Sequence, residues 1–113
     1  MRLVNGIVAD TLSLNDRALQ FGDGVFRTIR VSHGRLVWWD EQYAKLVDDC
    51  QRLGIVAPEE ELLLADLAQL APYDNCVKII ITRGETERGY LAPANISANR
   101  IVQLAPLPVY PSS

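Results

Sequence analysis

The stretch "CVKIIITRGETERGY", residues 76–90, decides how the chain is read. Its first half is a β-branched run broken only by Lys78, the composition of a strand with at least one buried face. Its second half sets Arg83 directly before Gly84 and Arg88 directly before Gly89, with Glu85 and Glu87 between the two arginines. A turn needs only the glycines, so the arginines call for a separate account. One reading is a long hairpin whose arginines pair with Glu85 and Glu87 at the surface, pairs worth only about 0 to 1 kcal/mol each. The other is a guanidinium, planar and permanently charged, offering a two-pronged contact to a substrate carboxylate, with Tyr90 adding a hydroxyl and an aromatic wall.

Downstream, "RIVQLAP" at residues 100–106 is a second strand able to pair with the first. Upstream lie two amphipathic segments. Tyr43, Leu46, Val47, Cys50 and Leu53 recur at three- and four-residue intervals, which predicts a helix capped by Asp40 and closed by Gly54. Pro58 and the three glutamates after it suit a helix start, because the carboxylates favour its positive end. Leu63, Leu67 and Leu70 form that helix's core stripe, and Pro72 closes it. Nearer the N-terminus, "RLVNGIVAD" reads as two short strands around Asn5-Gly6, a strong hairpin signal. "VFRTIRV" and "RLVWW" read as a second hairpin turning at His33-Gly34. Strands, then two helices, then strands again predict an α+β two-layer sandwich, an antiparallel sheet with two helices packed on one face.

The 113 residues, 49% of them apolar, suffice for one core. We assign residues 1–105 to that domain. "PLPVYPSS", residues 106–113, carries Pro106, Pro108 and Pro111, cannot continue a central strand, and reads as the start of an interdomain linker. The expectation is a chain that stops where a C-terminal domain should begin. A net charge of -3 and a pI near 5 argue against nucleic-acid binding, which needs clustered basic surface. No run of eighteen apolar residues and no signal-peptide pattern occurs, so a soluble cytoplasmic protein without a membrane role is expected. Cys50 and Cys76 have no paired spacing and read as reduced packing thiols. The single histidine, His33, falls in a turn, so neither a metal site nor a Ser-His-Asp triad is expected.

One more segment holds more polar and glycine content than a sheet requires. In "DRALQFGDGVFRT", Gly22 and Gly24 permit positive φ or close backbone approach beside the rings of Phe21 and Phe26. On pattern alone this reads first as a well-made bend between a loop and a strand.

Taken together, "NDRALQFGDGVFRTIRV", a helix carrying "KLVDDCQRLGI", and "VKIIITRGETERGY" resemble the N-terminal domain of the class IV aminotransferase family of pyridoxal-phosphate enzymes. The resemblance runs from "VNG" to "RIVQLAP" and is strongest to the lyase branch that converts 4-amino-4-deoxychorismate to 4-aminobenzoate and pyruvate in folate biosynthesis. Branched-chain and D-amino-acid aminotransferases share the same frame. It implies that Phe21 and Phe26 form an apolar wall on the substrate side of the cofactor. It also implies that Arg88 and Tyr90 lie in the loop receiving the substrate carboxylate, across a homodimer interface, while Arg83 is structural. Where the family carries His-x-x-Arg-Leu to hold the cofactor phosphate, this chain has Gln42 and Lys45. Lys45 therefore stands as the cofactor-binding candidate, against a solvated helix residue paired with Asp49. The family's Schiff-base lysine lies in the second domain, and neither Lys45 nor Lys78 matches it. No catalytic residue is expected in this segment, which alone is expected to be inactive and not to retain the cofactor. The rival from a different class is a stand-alone, non-catalytic interaction module.

Overall fold

The computed structural model describes residues 1–86 and 96–106. Its six strands are β1 (Arg2–Val4), β2 (Ile7–Val8), β3 (Gly24–Ser32), β4 (Arg35–Leu36), β5 (Asn75–Thr82) and β6 (Asn99–Ala105). They form one sheet in the order β2-β1-β6-β5-β3-β4, and every pairing is antiparallel. Two helices, α2 (Trp39–Leu53) and α3 (Glu60–Leu70), pack on one face, and a short helix, α1 (Arg17–Phe21), precedes β3. This is the expected α+β arrangement of a sheet with two main helices laid on it.

The alternation of β5 explains why the sheet has one closed face. Val77, Ile79 and Ile81 are all fully buried, and their partners Ile29 on β3 and Val102 on β6 continue the same layer. Successive side chains in a strand point to opposite faces, so one parity supplies the core and the other does not. Leu46 and Cys50 of α2, Leu63, Leu67 and Leu70 of α3, and Ile55 between the helices close over this layer. The first turns of both helices carry acidic pairs, Asp40 and Glu41, then Glu60 and Glu61, which complement their positive ends.

Two boundaries differ from the sequence expectation. "RLVWW" keeps only Arg35 and Leu36 in the sheet, because Trp38 adopts φ 55° and turns the chain at once into α2. Asp40 consequently sits in the first turn, and Trp38 occupies the cap position with no side-chain capping bond. The Asn5-Gly6 turn is as expected, with φ of 52° and 83° and Leu3 facing Val8. Cys50 and Cys76 are both buried free thiols. Residues 107–113, most of the expected linker, lie outside the described residues. No helix among the described residues is long and apolar enough to cross a membrane.

Candidate functional site

The face of the sheet turned away from α2 and α3 is ordered in rows, since cross-strand partners in an antiparallel sheet point the same way. The end row is Gly24, Thr82 and Asn99, and the next is Phe26, Ile80, Ile101 and Val4. The third is Thr28, Lys78, Gln103 and Arg2. An apolar row therefore lies between two polar ones. Phe26 is 60% exposed, a large ring left uncovered by the helices.

The end row is where α1 docks. Asp16 caps α1 by accepting from the Ala18 backbone N–H at 2.8 Å, and its other carboxylate oxygen accepts from Thr82 Oγ1 and Asn99 Nδ2, each at 2.8 Å. A fully buried carboxylate is tolerable because it is satisfied by donors on three elements. Gly24 lets the chain lie close: a Cβ there would stand 2.8 Å from the Ile81 carbonyl oxygen. Gly22 ends α1 at φ 66°, so the pair supplies one positive φ and one close approach. The result carries Phe21 on the helix pinned to the end of the same face that presents Phe26.

A three-residue ion network braces this corner. The Oδ2 atom of Asp23 accepts from Arg17 Nε at 2.9 Å and Arg83 Nε at 2.6 Å. Arg83 also donates to the carbonyls of Leu53 and Gly54 at the end of α2, where carbonyls have no donor within the helix. Burial alone would raise the Asp23 carboxyl, but the bonds and charges of Arg83 and Arg17 outweigh it and hold the group below its ordinary value. The Arg17 guanidinium lies 4.6 Å from the Phe21 ring centroid. The first arginine of the loop is thus structural, as expected, but its partner is Asp23 rather than Glu85.

Among the other expected site residues, Arg88 and Tyr90 lie outside the described residues. Lys45 lies on α2, on the opposite side of the sheet from Phe26, with Nζ 3.4 Å from Asp49 and 3.8 Å from Asp48. Gln42, one helical turn earlier, accepts from Nε and Nη2 of Arg27 at 3.1 and 2.8 Å. Two carboxylates around one ammonium make a negative surround, and this donor set does not fit a phosphate at Lys45. Sequence reasoning missed two features. Asp16 opens the segment whose pattern reads as a bend into a strand, although Asp before a short apolar run is a cap signal. Asp66, buried and held by Arg100 Nε at 2.7 Å and Nη2 at 3.2 Å, interrupts the leucine stripe of α3, and that interruption was its signal.

Against known proteins, the chain superposes on the crystal structure of 4-amino-4-deoxychorismate lyase from Pseudomonas aeruginosa with a TM-score of 0.85 and 40% identity, covering 98% of this chain and 42% of that one. The chain has the N-terminal-domain fold of the class IV aminotransferases. It is 35% identical over 89 residues to the aminodeoxychorismate lyase of Vibrio harveyi, covering 77% of this chain and 33% of the relative. It is 28% identical over 101 residues to a D-alanine aminotransferase of Listeria monocytogenes, covering 84% of this chain and 35% of the relative. The chain thus spans about a third of the length of the curated relatives it matches. No protein-family model matches it. Class IV aminotransferases depend on pyridoxal phosphate; the rings of Phe21 and Phe26 are exposed, and the surround of Lys45 does not fit that group's phosphate.

Proposed function

We propose that this domain serves an aminodeoxychorismate lyase, a homodimeric enzyme that converts 4-amino-4-deoxychorismate to 4-aminobenzoate and pyruvate. The observation that carries the reading is the 40% identity sustained over 98% of the chain with the Pseudomonas lyase. When bound, pyridoxal phosphate supplies an electron sink conjugated with the substrate amine. The reactive lysine belongs, in this reading, to the remainder of the enzyme.

What this domain contributes is binding and orientation. Phe26, held rigid by the paired β3–β5 ladder, offers an aromatic face to the substrate ring, and Phe21 on its pinned helix offers a second. Arg88 and Tyr90 receive a substrate carboxylate. The Asp16 cap and the Asp23 network fix the angle at which α1 meets the sheet, so the two rings are set by buried hydrogen bonds rather than by a free loop.

The test is to incubate the full-length enzyme with 4-amino-4-deoxychorismate and follow both products. Release of 4-aminobenzoate with equimolar pyruvate supports the lyase. Amino-group exchange with a keto acid, without 4-aminobenzoate, moves the assignment to a D-amino-acid or branched-chain aminotransferase, a reading favoured by the D-alanine aminotransferase likeness.

A further inference from the structure

Among the described residues four cations lack a carboxylate partner, and Lys78 differs from the other three: Arg27 donates to Gln42, and Arg30 and Arg35 are exposed. Arg17 and Arg83 share Asp23, Arg100 grips Asp66, Arg52 meets Asp48, Arg2 meets Asp10, and Lys45 lies between Asp48 and Asp49. Lys78 has no carboxylate partner among the described residues. It is half-buried on the open face, in the centre of the sheet, with Nζ 4.7 Å from the Phe26 ring centroid. Its cross-strand neighbours on that face, Thr28 and Gln103, are neutral and polar. A half-buried ammonium with no carboxylate beside it among the described residues, next to an exposed ring and bordered by an apolar row, is a recognition element for a carboxylate borne on an apolar or aromatic ring.

We propose that Lys78 binds the ring carboxylate of the substrate while the ring itself lies against the Phe26 row. The inference rests on the lyase reading, and it follows from the substrate's chemistry. 4-Amino-4-deoxychorismate carries two carboxylates, one on the ring opposite the amine and one on the enolpyruvyl arm, whereas D-alanine and the branched-chain amino acids each carry one. The proposed function assigns one carboxylate to Arg88. A second cation on the sheet face accounts for the other. The contact of Lys78 with Phe26 is weak enough for the ammonium to exchange it for a carboxylate, and the long side chain supplies the reach. Lys78 is then a specificity-determining residue and takes no part in proton transfer.

The experiment measures binding of 4-aminobenzoate and of 4-aminobenzamide, the same ring with the charge removed, to the full-length enzyme by calorimetry. Wild type, Lys78→Gln and Lys78→Arg are compared, alongside turnover of 4-amino-4-deoxychorismate. Wild type is expected to prefer the carboxylate, Lys78→Gln to lose roughly tenfold of that preference, and Lys78→Arg to keep it within about threefold. In turnover, Lys78→Gln is expected to raise KM in the same proportion with kcat within about twofold. A merely structural lysine would not move the preference for benzoate over benzamide. An unchanged preference in Lys78→Gln, or no preference in wild type, overturns the proposal. Failure of wild type to release 4-aminobenzoate sinks the lyase reading instead, and the preference still decides Lys78.

Discussion

The two faces of the sheet are made from alternating residues of the same strands, yet they are finished in opposite ways. On β5, Ile79 is fully buried beneath α2 and α3, and Ile80, its immediate neighbour, is only half-buried on the other side. The covered face is completed by leucines from two helices and sealed by the ion pair of Asp66 with Arg100. The open face is pinned at one end by Asp16 and presents an apolar row, an unburied phenylalanine and a lysine with no carboxylate partner among the described residues. The difference shows that a two-layer fold needs only one face of its sheet for a core, and that large exposed apolar groups on the other are available for a ligand.

The largest expected effect falls on the covered face. Asp66→Ala leaves the partly buried Arg100 guanidinium, 18% exposed, without its partner and is expected to cost about 3 to 5 kcal/mol of stability. Urea denaturation checks it, and a loss below about 1 kcal/mol would mean that this pair does not seal the face. Ile79→Ala should cost about 2 to 5 kcal/mol by opening a cavity between layers. The adjacent change, Ile80→Ala, should cost about 1 kcal/mol or less in this 113-residue chain. Equal losses for the two would erase the distinction between the faces.

Two smaller effects sharpen the comparison through titration. Asp23 has its folded-state value held below the ordinary 3.8, so its contribution to stability is present above that value and is lost as pH falls through the lower, folded one. Asp23→Asn should therefore flatten the acid limb of the stability profile, and an unaltered limb would show that the bridge to Arg17 and Arg83 is not stabilising. On the covered face, burial pushes the Cys50 thiol up to about 11. In a Cys76→Ser variant, Cys50 should resist thiol reagents at pH 8 until the chain is unfolded. Rapid labelling of the native state would indicate that the helix layer opens readily.

Legibility in the sequence followed the same division. The β5 and β6 runs, the Asn5-Gly6 turn and the leucine stripe of α3 were readable because each is a local pattern tied to a core that a periodicity reports directly. Trp38 was misplaced into a strand because an aromatic pair looks like sheet, whereas the chain must turn sharply there to lay α2 over the core. The rows of the open face were beyond reach, since they depend on the register between β1, β6, β5 and β3, which sequence alone does not supply. For the same reason the sequence shows Lys78 only as a break in a β-branched run, and it does not show Asp23 as the partner of an arginine 60 positions away.

The measurement that reaches the central claim most directly is a fluorine label on the open face. With 4-fluorophenylalanine at position 26 of the full-length enzyme, saturating 4-aminobenzoate should shift the ¹⁹F resonance of that ring. The same label replacing Tyr73, on the far side of the β3–β4 turn, should stay where it was. A resonance at position 26 that does not move while the ligand is demonstrably bound would contradict the assignment of this face to the substrate.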